Sequence, residues 1–93
     1  MVRVMEFDPS AFLDDDEVVA EYLTAALEDD NPDVFLAAVG HVVKARGMSA
    51  IAERAGVGRE SLYKALAPGA KPRYDTVLRA LHSLGVKLTV STA

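Results

Sequence analysis

Residues 48–66 read MSAIAERAGVGRESLYKAL. Two short helical segments, about 49–55 and 59–66, flank Gly56-Val57-Gly58, and two helices that meet steeply across so short a turn need special residues. Ala52 must be small, because the second helix crosses close above it. Gly56 can take a positive φ that would cost a side-chained residue energy. Ile51, Ala55 and Val57 fill the angle between the helices, and Leu62, Ala65 and Leu66 turn inward from the second. Arg59, Glu60, Tyr63 and Lys64 then point away, with Ser61 at the edge. A short helix with one buried and one polar face suits the major groove of DNA.

Working outward, residues 67–72, APGAKP, form a loop that no helix can cross. A helix over about 74–84 buries Val77, Leu78, Leu81 and Leu84, and Gly85 ends it. Residues 86–90, VKLTV, alternate apolar and polar, the pattern of a short terminal strand. Its partner would be a second short strand at Val2–Met5, or its own copy in a dimer. Upstream, Asp14 to Asp16 offer N-caps for a helix over about 16–28 with a stripe of Val18, Val19, Tyr22, Leu23, Ala26 and Leu27. Asn31-Pro32 starts another helix, as cap and first residue. Its stripe is Val34, Phe35, Ala38, Val39, Val42 and Val43, and Gly47 stops it. The expected fold is all-α: a five-helix bundle containing a helix-turn-helix, with short β-strands at the termini. At 93 residues the chain is expected to be one domain, with an acidic helical leader over about 1–33.

The charge is divided. Residues 1–33 carry Arg3 against eleven acids, net −10, and residues 34–93 carry nine bases against Glu53, Glu60 and Asp75, net +6. An acidic front and a basic back suit two partners of opposite charge. The plainer reading, that the acids solubilise a helix, stands beside it. Arg46, Arg54, Arg59, Lys64, Lys71 and Arg73 could supply phosphate contacts.

The remaining chemistry is thin. There is no cysteine, so disulfides and thiolate metal sites are excluded. His41 and His82 are the only histidines and have no metal-ligand spacing. The carboxylate run at 14–17 lacks a His, Lys or Ser partner and reads as a solvated helix start. No phosphate-binding glycine motif and no nucleophile elbow occurs. No enzyme activity, cofactor or metal is expected. The N-terminus is too acidic and broken for a signal peptide, and no apolar run nears the roughly 18–20 residues of a membrane span. A cytoplasmic protein is expected.

The segment 48–66 resembles the helix-turn-helix of phage-repressor-type regulators. More narrowly, ARGMSAIAERAGVGRESLYKAL followed by PGAKPRYDTVLRALHSLGVKL is similar to the antidote proteins of bacterial addiction modules. The upstream FDPSAFLDDDEVVAEYLTAALEDDNPDVFLAAVGHVVKARG resembles the same family's acidic leader and first helices. The resemblance implies an antitoxin that represses its own operon, binds a palindromic operator in double-stranded DNA as a homodimer, and neutralises a basic toxin of the RelE/ParE-like superfamily. Ala52 and Gly56 match the small and turn positions. Arg59, Glu60, Tyr63 and Lys64 match the DNA-facing positions; Ser49, Ser61, Lys71 and Arg73 complete the candidate set. Met48 departs from the pattern, since many phage-type members carry there a Gln that contacts phosphate. Ser49 or backbone N–H groups are the candidates to replace that contact. Glu60 could accept from cytosine N4 or serve the helix N-terminus, and Tyr63 could instead cover a neighbouring helix. Two other functions compete: a stand-alone regulator without a toxin, and a protein-interaction module with a vestigial helix-turn-helix.

Overall fold

A computed structural model describes residues 15–93 as five helices: α1 (Asp16–Leu27), α2 (Pro32–Arg46), α3 (Met48–Ala55), α4 (Arg59–Ala65) and α5 (Tyr74–Ser83). The expected strand at Val2–Met5 lies outside the described residues.

Local chemistry sets the boundaries. Asp15 caps α1, its carboxylate accepting from Glu17 N–H at 2.8 Å. Asn31 caps α2 by accepting from Asp33 N–H at 3.0 Å, and Pro32 stands at the first position, where no N–H is needed. Gly47, at φ 100°, ends α2 and opens α3, and the chain bends by 107° between them. No single helix among the described residues is long and apolar enough to cross a membrane.

The helices share one core. Val19 and Leu23 of α1, Phe35, Ala38, Val39, Val42 and Val43 of α2, Ile51 and Ala52 of α3, Leu62 of α4, Leu66, and Val77, Ala80 and Leu81 of α5 are all buried, as is Leu84. Burial of an aliphatic side chain stabilises by about 1.5–3 kcal/mol, so this cluster is the main favourable contribution. The stripes run slightly past what is buried. Val34 is 37 % exposed and Leu27 50 %, because each lies at the edge of its helix's inward face.

The strand expected at 86–90 does not form; the segment has no regular secondary structure. Gly85, at φ 83°, ends α5 in a left-handed turn, and Val86 N–H donates back to Leu81 O at 3.1 Å. Val86 and Leu88 pack against the core while Val90 is 99 % exposed. Among the described residues the alternation therefore belongs to a tail lying on the core.

Arg46 ties three elements together. Its guanidinium donates to Leu84 O at 2.6 Å and to Asp16 Oδ1 at 2.7 Å, and its side chain is only 14 % exposed. The ends of α2 and α5 are thus joined to the start of α1, and Arg46 is committed to the fold rather than to phosphate. Arg46→Ala is expected to cost about 1–3 kcal/mol, as two charge-assisted bonds are lost beside a part-buried carbonyl. Lys, with a single ammonium, should restore little of it. Urea denaturation checks this; a change within about 0.5 kcal/mol would mark Arg46 as an ordinary surface residue.

Candidate nucleic-acid interface

Three residues, 56–58, join α3 to α4. Gly56 is left-handed at φ 70°, ψ 30°, and its N–H donates to Glu53 O at 3.2 Å. Val57 N–H reaches back to Ala52 O at 3.0 Å. This pairing satisfies the last carbonyls of α3 and turns the chain sharply. Val57, half-buried, packs on the core directly after the turn. Ala52 is 1 % exposed and Ile51 1 %, so the face of α3 beneath the turn is fully occupied.

α4 is two-sided. Leu62 is completely buried and Leu66, just past the helix, nearly so. Arg59, Glu60, Ser61, Tyr63 and Lys64 are all exposed, and Ala65 is half-buried. Arg59, Glu60, Tyr63 and Lys64 fall at i, i+1, i+4 and i+5, which makes them neighbours on one helix face. Glu60 stands in the first turn of α4 and Lys64 in the last, each where the helix dipole favours it. The α4 N-cap is Gly58, with no side-chain bond to the first amides.

The flanking candidates are exposed as well. Ser49 is at the start of α3, and Lys71 and Arg73 precede α5. Arg73 Nε pairs with Asp75 Oδ1 at 3.2 Å, with both side chains open to water. Such a pair is weak and can exchange for a phosphate. Met48, by contrast, is half-buried and packs against the core.

Two features escaped the sequence reading. Arg54 lies with Arg79 and His82 around a shallow cleft where the C-terminal parts of α3 and α5 meet. The second is a groove of about 370 Å³ between α2 and the loop after α4, bordered by Leu36, Gly40, Met48, Tyr63, Leu66 and Pro68. Tyr63, 57 % exposed, stands between this groove and the polar face of α4. The residues at 33, 36, 37, 40, 41 and 44 form a second face of α2, whose mixture of Asp, Leu, Ala, Gly, His and Lys gave no hydrophobic signal. Among the described residues, no group of three or more His, Cys, Asp or Glu side chains could hold a metal ion.

Comparison with known proteins bears on the whole chain. A protein of Haemophilus influenzae, described as uncharacterized, is 36 % identical over 88 residues, covering 95 % of this chain and 91 % of that one. No solved structure matches. A profile of the family described as "probable addiction module antidote protein" matches residues 3–92, and the chain belongs to that family.

Proposed function

We propose that this antidote protein binds double-stranded DNA through the exposed face of α4 and represses its own operon. On this reading it neutralises a basic toxin of the RelE/ParE-like kind through its acidic front. The single observation that carries the DNA reading is the two-sided α4. Leu62 anchors the helix in the core, and Arg59, Glu60, Ser61, Tyr63 and Lys64 face solvent together behind a tight left-handed turn. A helix so anchored can enter the major groove and present side chains to base edges. Ser49 lies in the first turn of α3, Arg73 is the residue before α5 and Lys71 stands in the loop ahead of it, all exposed side chains of the kinds that contact phosphate.

Membership of the family brings a toxin as partner. Its basic character is inferred from the charge division, since a net −10 over residues 1–33 serves no purpose in holding DNA. On this reading the protein is a binding and regulatory protein, not a catalyst, and 1–93 acts as one unit with an acidic leader over about 1–33.

One such unit reads only a few base pairs, so useful affinity requires two half-sites about one helical turn, ~34 Å, apart. Footprinting on the DNA upstream of the protein's own reading frame should show two protected half-sites related by a dyad. Protection of one isolated half-site, or none, would count against a dimeric repressor.

A further inference from the structure

The second face of α2 has a symmetry of its own. Its residues are Asp33, Leu36, Ala37, Gly40, His41 and Lys44, at helical positions i, i+3, i+4, i+7, i+8 and i+11, and all line the groove. They span about 16 Å, three helical turns. In an antiparallel pairing of α2 with a second α2, Asp33 meets Lys44, Leu36 meets His41, and Ala37 meets Gly40, each pair occurring twice. The pattern is self-complementary about a two-fold axis, which an isologous dimer interface requires. Ala37, small and exposed, stands near the centre, where helix axes approach most closely. Opposite charges stand at both ends.

We propose that this groove is occupied by a second copy of the chain, α2 packed antiparallel on α2. The proposal deepens the dimeric reading above by naming its surface. Among the described residues neither Asp33 nor Lys44 has an ion-pair partner, so both are available across the interface. Their positions also suit the ends of the α2 dipole, Asp33 in the first turn and Lys44 in the last. The dipole does not account for the apolar stripe between them, where Leu36 and Gly40 are half-buried and Ala37 is exposed. Beside Gly40 lies the chain's own Leu66, whose O would be 3.5 Å from a Cβ there, so the glycine serves the packing of α2 against the segment after α4, and exposed Ala37 is the small residue left open to the second copy. His41 is held in place, its Nδ1 2.9 Å from Tyr22 Oη. Tyr63 and Leu66 form the far wall, so the same contact sets the position of one α4 relative to the other.

The test is made without DNA, by sedimentation of the full chain over a dilution series. The parent should be a reversible dimer. Asp33→Lys and Lys44→Asp each create two like-charge contacts, and each should weaken the dimer about tenfold or more. The double variant restores both pairs in reversed sense and should return to within about threefold of the parent. Mixing the two single variants should give the heterodimer in preference to either homodimer. Ala37→Glu, at an exposed helix position, should give a folded monomer that melts where the parent melts when diluted below its dimer dissociation constant. A parent that stays monomeric throughout, or a double variant no tighter than the singles, overturns the proposal. A groove occupied by the chain's own N-terminal segment or by the toxin would give the first of these results. Since no DNA is present, failure to bind DNA leaves this result standing, and a monomer that still binds DNA refutes the interface alone.

Discussion

Ala52→Leu should destabilise the protein by about 1–3 kcal/mol and abolish DNA binding together with the fold around the turn. Ala52 is 1 % exposed, and the core around it includes Ile51, Leu62 and Leu81. Its own carbonyl accepts the Val57 N–H that closes the turn at 3.0 Å. An isobutyl group there has no void to enter. It must push α3 away from its neighbours or shift the backbone that carries the turn, and α4 moves in either case. A domain of this size loses roughly 4–8 °C of melting temperature per kcal/mol, so the effect should be plain in a thermal scan. Ala52→Gly is the control: it adds no volume, and it costs about 2 kcal/mol through helix propensity and the loss of one buried methyl, without pushing α3 and α4 apart. An Ala52→Leu protein with unchanged melting and DNA binding would place Ala52 away from the packing between helices.

The acidic front is tested by charge reversal. Asp15 and Asp29 are unsuitable, because Asp15 caps α1 and Asp29 accepts from Asn31 N–H at 2.8 Å. Glu17, Glu21 and Glu28 are exposed, and no hydrogen bond or ion pair engages their side chains among the described residues. Lys at position 17 is unfavourable near the start of α1, and Lys at position 28 is favourable at its end, so the stability changes offset. The triple Lys variant should melt near the parent. Its association with the toxin should slow by about tenfold or more at low salt and lose its salt dependence, since opposite charges no longer steer the encounter. DNA binding should be kept or strengthened, as three acids near a polyanion are gone. A folded triple variant with unaltered toxin affinity and association rate would leave the acids as a solubilising face.

The helix boundaries were legible because the punctuation is local. Asn31-Pro32, Gly47, Gly56 and Gly85 each act within a few residues of themselves, and the structure ends or starts a helix at each. The buried set of 48–66 was legible for a related reason: in two short helices around a fixed turn, spacing alone decides which side chains face inward. What depended on distant partners was not legible. Arg46 reads as one more cation in a basic half, and its commitment appears only when Asp16 and Leu84, 30 and 38 positions away, are brought to it. The tail at 86–90 alternates like a strand, yet the same alternation serves a segment resting on the core with no strand partner among the described residues. The second face of α2 was hidden because Gly, Ala and His carry little hydrophobic weight. Its significance lies in the groove they share with Leu66 and Pro68.

Reading of DNA by the exposed face of α4 is decided by a binding experiment on two of its cations. Fluorescence anisotropy of the protein's own upstream DNA is followed across a salt series for the parent, Arg59→Ala and Lys64→Ala. Both side chains are exposed and free of ion pairs among the described residues, so melting should shift by no more than about 0.5 kcal/mol equivalent. Each variant should lose about 1–3 kcal/mol of binding where it touches a base, with relaxed preference at one base pair. A variant that has lost a phosphate contact should instead bind all sequences more weakly, with a salt slope smaller by about one. If both variants, folded and stable, bind as tightly as the parent and with the same salt slope, α4 is not the DNA-reading helix.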